Sequence, residues 1–405
     1  MDKSIGDLFR VHGEDYIKIY KPPKQHIKLI RSIRVCRSPA LGGKSVTCSS
    51  CDHTKFIYHS CGNTHCPLCQ NRKRELWQQK IADKFFNVPY AHIVFTIPHD
   101  LNTLARNNPR AIYNITMRAA WKSIKNLTAK TENLGGLPGM VAVLHTFGSD
   151  MRYHIHVHTL VTFGGIDEFG NWKWPKRRKK LAPFKKISNE YRDTFIKMLR
   201  KDISNDLINT KQNIEELIHT IENKRWNVRN EYPTANTEIL ERYLARYINR
   251  IAISKSRLQY IAKQEKIKSK VCVTYKDYRR QITGQPAPMA IKPMNPLVAI
   301  NQFLLHVLPP YFQKARYYGL HAPPTFKRLK KKIPKKLIRN NRTIRVLFTV
   351  INNLLGLTPY ACEHCGGQDF VYGIVKPDSN WIFHFITIPS YRGPPKKPRT
   401  SLTHA

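Results

Sequence analysis

The chain has 405 residues, enough to bury a full core and to divide into two or three domains. Its 69 Lys and Arg against 27 Asp and Glu leave a formal charge of +42, a field that steers the protein toward polyanions, nucleic acid above all. No apolar run reaches eighteen residues and no signal-peptide segment follows Met1, so a membrane protein is not expected and an anionic membrane surface ranks behind nucleic acid as partner.

Residues 1–35 are basic and weakly helical, with Ile27, Leu29, Ile30 and Ile33 forming a partial apolar stripe. Six of the nine cysteines then fall between Cys36 and Cys69, too clustered for a secreted disulfide framework and spaced as metal sites in a reducing compartment are. Two CxxC pairs, Cys48 with Cys51 and Cys66 with Cys69, fit a tetrahedral zinc ribbon with four thiolate ligands. Each pair spans one edge of the tetrahedron, and a hairpin between them brings the pairs together. Cys36, Cys61 and His65, with His26 nearby, are left over; they can form a second, interleaved site or be small buried hydrophobes. Four thiolates leave no open coordination position, so zinc here is structural. Gly42-Gly43-Lys44-Ser45 is not a phosphate loop, because Ser38 stands where the first glycine is needed. No other loop of that kind occurs, and nucleotide hydrolysis is not expected.

A helix over 72–86, a strand over 92–98 and a helix over 103–130 follow. Gly135-Gly136 breaks the chain before a strand over 140–147, and Gly148-Ser149-Asp150 turns it into a strand over 153–163. That last strand alternates with period two, which sends His154, His156 and His158 to one face. Three imidazoles in strict alternation point to a metal site, since imidazole is the commonest protein metal ligand. The class these elements imply is α+β, an antiparallel sheet with helices on one face.

Trp172 and Trp174 beside Lys176, Arg177 and Arg178 join aromatic faces to cations. That pairing suits single-stranded nucleic acid, and it also fits a charged loop. Residues 188–224 read as helical, and Tyr232-Pro233 as a turn. A further helix begins after Thr237, its N-cap. On it Tyr243 and Tyr247 lie one turn apart on one face, with Arg242, Arg246 and Arg250 placed to hold phosphates beside them. Tyrosines at that spacing also finish cores, and Ile239, Leu240, Leu244, Ile248 and Ile251 supply an apolar stripe alongside. A strand over 271–275, a helix over 297–306 and a Lys/Arg/Pro tract from 323 lead to one isolated pair, Cys362 and Cys365. One pair is half a zinc site, so ligation there needs His364, another segment or a second chain. The tail around 394–399 is expected to be disordered.

The stretches H-S-C-G-N-T-H-C-P-L-C-Q, V-F-T-I-P-H, L-H-T-F-G-S-D-M-R-Y-H-I-H-V-H, R-Y-L-A-R-Y-I-N-R-I-A-I-S and L-L-H-V-L-P-P-Y-F-Q-K-A-R-Y-Y-G occur in that order across residues 26–320. Together they resemble the insertion-sequence-91 family of transposases, enzymes of the HUH (His-hydrophobe-His) endonuclease class. Three positions depart from the family pattern. Ile155 stands where proline is usual, and Gly62 and Thr64 stand where arginine is frequent. The resemblance implies a zinc-binding DNA-recognition domain over 1–86, an HUH-type palm with two catalytic tyrosines over 87–322, and a basic C-terminal region over 323–405. It further implies that His156 and His158, with His154 as third ligand, hold Mg²⁺ or Mn²⁺, and that Tyr243 and Tyr247 are nucleophiles forming 5′-phosphotyrosine. The expected partner is single-stranded DNA at element ends and target, with host helicase or replication factors. The expected setting is the nucleoid of a prokaryotic cytoplasm. A relaxase or replication-initiator nickase shares this chemistry, and a non-catalytic zinc-dependent DNA-binding protein would need neither the histidines nor the tyrosines.

Overall fold

Two helices open the chain, Ile5–Tyr20 (α1) and Lys24–Val35 (α2). They are separated where Lys21 takes a φ of 44° and Pro22-Pro23 cannot continue a helix. Leu8, Phe9 and Tyr16 of α1 and Leu29, Ile30 and Ile33 of α2 recur at helical spacing and are buried together. The fold is that of a computed structural model, which describes residues 5–69, 85–177, 179–210, 213–230, 233–234, 253, 257–261, 268–282, 285–338 and 361–378. The expected helix over 72–86 for the most part, Arg178, and the expected helix carrying Arg242, Tyr243, Arg246, Tyr247 and Arg250 lie outside the described residues.

A hairpin of Gly43–Cys48 (β1) and Thr54–Tyr58 (β2) follows, then the strand Tyr90–Thr96 (β3). The single helix expected over 103–130 is two: Asn102–Asn107 (α3) and Pro109–Ala129 (α4). Asn108 leaves the helical conformation at the break, with φ −127° and ψ 53°, and Pro109, which has no N–H to donate, takes the first turn of α4. Leu137–Phe147 (β4) and Tyr153–Ile166 (β5) make the long central hairpin, and Trp172–Lys173 (β6) pairs with the end of β5. The helical stretch expected over 188–224 also divides, into Phe184–Ser204 (α5) and Ile214–Glu222 (α6). Asn213 caps α6, its side chain accepting from the Glu216 N–H.

The strand Val228–Asn230 (β7) completes one edge of the main sheet. Leu258–Ile261 (β8), Lys270–Lys276 (β9) and Met289–Met294 (β10) form a second sheet, followed by the helix Pro296–Leu304 (α7). Ala315–Gly319 (β11) closes the other edge of the main sheet, Pro323–Leu329 (α8) follows, and Phe370–Val375 (β12) returns to pair with β1.

The main sheet runs β11-β4-β5-β3-β7, antiparallel throughout. Period-two alternation gives it two different faces. Ile155, Val157 and Val161 of β5, Ile93 and Phe95 of β3, and Ala142 and Leu144 of β4 are buried in one core with the apolar stripes of α4 and α5. On the other face Val141, Val143, Leu160 and Tyr90 form an apolar core with Phe85, Phe86 and Leu320. Beyond that core the same face carries the histidines. The architecture is α+β, with antiparallel sheets. The helices at the N-terminus do not pack alone, since their core is shared with Phe147, Met151, Leu258, Val271, Ile300 and Phe303.

Candidate metal centres and catalytic cavity

The ladder between β4 and β5 decides which imidazoles meet. His145 is directly opposite His156, and Val143 opposite His158, so His145, His156 and His158 share one face. A ring nitrogen from each lies within 4.8 Å of one from the others. Their rings stand edge to face, with centroids 5.3 Å apart for His145–His156, 4.8 Å for His145–His158 and 4.9 Å for His156–His158. The structure thus brings His145, rather than His154, together with His156 and His158. Successive same-face residues on one strand are about 7 Å apart, so the ends of a His154, His156, His158 row are about 13 Å apart, too far for one ion. A cross-strand partner is only about 5 Å away. His154 is further displaced by a register shift: between the pairs His145–His156 and Phe147–Tyr153, β5 has two residues where β4 has one. Its ring lies 5.0 Å from that of His156 and 5.3 Å from that of His99, and burial, with the His99 charge second, pulls its pKa down to about 4.

Hydrogen bonds orient two of the three imidazoles. His156 Nδ1 lies 3.0 Å from the His154 carbonyl oxygen, which can only accept. Nδ1 therefore carries the proton, and Nε2 is the nitrogen with a lone pair to offer an ion. His158 Nδ1 lies 3.2 Å from His92 Nε2, and the two rings are stacked, 5.4 Å between centroids, which leaves His158 Nε2 as its ligand atom. His145 is buried and stacks on Phe147 at 5.0 Å. Neither His145 nor His92 was foreseen as a site residue. The signal for His145 was the hairpin itself, because pairing the strands around Gly148-Ser149-Asp150 sets it opposite His156.

The histidines line a cavity of about 1320 Å³. Arg106, Arg152, Arg229, Arg257 and Lys276 also line it, against two carboxylates, Asp150 and Asp277. Arg152 is paired with Asp150, and Arg257 is held by the carbonyls of Thr274, at 2.8 Å, and Ser149. The result is a cationic recess with fixed guanidinium groups, suited to phosphate.

Beside the cavity, His306 donates from Nε2 to the Met151 carbonyl at 2.9 Å and accepts at Nδ1 from the Thr146 hydroxyl at 3.3 Å. Burial lowers its pKa to about 4 from the ordinary 6.5. The unfolded chain then binds the extra proton between those values, so this contribution to stability is complete above pH 6.5 and is lost as pH falls toward 4. At pH 5 the loss is about 2 kcal/mol. His306→Gln is expected to show a smaller drop in Tm between pH 7 and pH 5 than the parent, and equal drops would refute this.

The cysteines also regroup. Cys36, Cys61, Cys66 and Cys69 bring their sulfurs within 4.8 Å of one another, with Cys36–Cys69 at 3.5 Å and Cys61–Cys69 at 3.6 Å. Cys48 and Cys51 instead join Cys362 and Cys365. The structure thus does not bring together Cys48, Cys51, Cys66 and Cys69, the four expected to form a single ribbon. The β1–β2 hairpin puts Cys48 and Cys51 at its tip and Cys61 past its foot, and a five-residue strand holds the two ends about 15 Å apart. His65 and His26 belong to neither group.

The aromatic–basic run sits at the far end of β5, where Ile166 pairs with Trp172, roughly 25 Å along the strand from His158. Trp172 packs against the apolar core beside Phe86, whereas Trp174, Lys176 and Arg177 are exposed.

Comparison with known proteins gives the family. Residues 8–97 match a family described as "Transposase zinc-binding domain", and residues 139–330 match one described as "Putative transposase". The chain is 30% identical over 331 residues to "Putative transposase y4qJ" of Sinorhizobium fredii, covering 78% of this chain and 79% of that protein. It is 25% identical over 356 residues to "Transposase for insertion sequence element IS801" of Pseudomonas savastanoi pv. phaseolicola, covering 84% and 82%. No solved structure matches. Among the described residues no helix is long and apolar enough to cross a membrane. The matched domains, the cysteine clusters that support structural zinc, and these relatives make the chain a member of the insertion-sequence-91 family of transposases, with an N-terminal zinc-binding domain and DNA as its partner.

Proposed function

We propose that this transposase nicks and rejoins single-stranded DNA at element ends by tyrosine transesterification, as in rolling-circle-like transposition, assisted by a divalent ion. The observation that carries this reading is the convergence of His145, His156 and His158 in an arginine-lined recess, with His156 and His158 each held through Nδ1. Three protein ligands leave positions for phosphate oxygens and water, and a bound ion would supply Lewis-acid polarisation of the scissile phosphate. The nitrogen-rich donor set suits Mn²⁺ better than Mg²⁺, which prefers oxygen.

The chain's own residues do the rest. Arg106, Arg229 and Arg257 line the recess and can hold flanking phosphates. Tyr243 or Tyr247 attacks phosphorus through its phenolic oxygen. The bond to the 3′ oxygen breaks, the phenolic proton is released, and the 3′ oxygen leaves as a hydroxyl. A 5′-phosphotyrosine keeps the ester energy, so a 3′ hydroxyl can later attack it, reform the DNA bond and free the phenol. No ATP is needed for that exchange. Two tyrosines four positions apart in the sequence can act in turn on the donor and target strands. Residues 1–86 and 323–405 would grip the terminal DNA while 87–322 does the chemistry, at nucleoid DNA of a prokaryotic cytoplasm with host factors separating the strands.

Incubation of the protein and Mn²⁺ with end-labelled single-stranded element ends is expected to give a covalent adduct that survives denaturing electrophoresis. The Tyr243→Phe, Tyr247→Phe double variant is expected to give none. An undiminished adduct in that variant would remove both tyrosines from the mechanism.

A further inference from the structure

Cys362 and Cys365 lie outside both stretches that match known transposase domains, yet they sit against Cys48 and Cys51, more than three hundred residues earlier. Cys48 Sγ is 3.6 Å from Cys365 Sγ, and Cys51 Sγ is 3.7 Å from Cys362 Sγ. A zinc ion with bonds of about 2.3 Å to four sulfurs arranged tetrahedrally requires sulfur–sulfur edges of about 3.8 Å.

The two CxxC turns are built alike. In each, the residue four places after the first cysteine is left-handed, Asp52 at φ 54° and Gly366 at φ 75°. In each, that residue's N–H donates to the carbonyl of the first cysteine at 2.9 Å. The N–H of the first cysteine in turn donates to the carbonyl five places on, Cys48 to His53 at 3.0 Å and Cys362 to Gly367 at 2.7 Å. Backbone N–H groups of His364 and Gly367 point at Cys362 Sγ and Cys365 Sγ, both at 3.4 Å, as donors that stabilise thiolate. Two matching knuckles facing each other make a complete tetrathiolate, not the half site that the isolated CxxC suggested.

We propose that Cys48, Cys51, Cys362 and Cys365 bind a second structural zinc ion that clasps the C-terminal segment onto the N-terminal domain. Among the described residues the sheet β12-β1-β2 has little else to hold it. β12 pairs with β1 over six residues, from Gly43–Val375 to Cys48–Phe370, but Val371, Tyr372 and Ile374 are exposed rather than packed in a core. An ion pair of Lys55 with Glu363 and a stack of His53 on His364 at 5.8 Å are the side-chain contacts beside the cysteines, and exposed contacts of this kind contribute little. Small sheets without a core are commonly held by a metal.

The test uses the full chain, purified without chelator. Zinc per chain is measured by elemental analysis for the wild type and for a Cys362→Ser, Cys365→Ser variant. Exposed Cys365 also allows a Cys365→Ser single variant with little risk to folding. The proposal expects the double variant to hold one zinc ion fewer per chain, and its residues 361–378 to be cut faster by protease while the helical circular dichroism is kept. Equal zinc content in the wild type and the double variant overturns it. So does a titration of the denatured, unreduced wild type that finds four thiols fewer than the nine cysteines, which would mean two disulfides instead. The readout is metal content, so its failure is separable from failure of the DNA-cleavage reading.

Discussion

Replacing His145 with alanine is expected to abolish metal-dependent cleavage of single-stranded DNA as fully as His156→Ala or His158→Ala does. The three side chains form one ligand set, and taking away one imidazole leaves two donors and an unfilled position in the recess. The loss in rate should exceed the 10–100-fold typical of removing a residue that only orients a metal ligand. His92→Phe is the internal standard for that smaller effect. It keeps a ring against His158 and removes the nitrogen that fixes the His158 tautomer. His154→Ala should stay within a few-fold of the parent, because the group that orients His156 is the His154 carbonyl, which alanine retains. Cleavage rates at saturating Mn²⁺, with Mn²⁺ affinity measured separately, give the ranking. Near-normal cleavage by His145→Ala alongside an inactive His154→Ala would show that the ligand set follows the strand rather than the hairpin.

The second large effect is on stability. Cys66→Ser is expected to release the zinc ion held by Cys36, Cys61, Cys66 and Cys69 and to lower Tm by at least about 10 °C, since structural zinc contributes on the order of 10 kcal/mol in small domains. The disturbance should spread well past the N-terminal domain. Cys36, Cys66 and Cys69 are buried in the same core as Leu29 and Ile33 of α2, Val271 of β9, and Ile300 and Phe303 of α7. Phe9 and Phe303 meet edge to face at 5.5 Å, and Tyr16 donates to Asn301 at 2.8 Å. Hydrogen exchange in α7 should therefore accelerate in Cys66→Ser. Protection of α7 unchanged from the parent would mean that the metal supports its own loop alone. Loss of the zinc ion at Cys362 and Cys365 should leave α7 untouched, so the two quartets can be told apart by the same measurement.

Local pattern made much of this molecule readable. An apolar run over 140–147 and period-two alternation over 153–163 marked the two central strands, and the glycine turn between them marked a hairpin. The stripes of α4 and α5 were legible at helical spacing. Their ends were not, because Pro109 and the chain reversal at Asp206 interrupt patterns that are otherwise continuous. The strands that escaped notice, β10, β11 and β12, are half-buried or exposed along much of their length and contain Lys292, Pro293, Arg316 and Gly373. They are strands because a neighbour supplies their hydrogen bonds, not because their own composition demands it.

The sequence by itself determined the chemistry in stock: a cationic chain, cysteines spaced in knuckles, histidines alternating on a strand, and an antiparallel α+β framework to carry them. Only the tertiary structure decided which of those groups meet. His145 displaces His154 because a neighbour across a ladder is nearer than the next same-face residue along a strand. Cys48 and Cys51 reach Cys362 and Cys365 rather than Cys66 and Cys69 because an extended hairpin keeps its tip away from its foot, and β12 brings the distant pair to that tip. Spacing along a chain fixes what a turn can hold, but metal sites are closed by register between strands, and register is a property of the folded sheet.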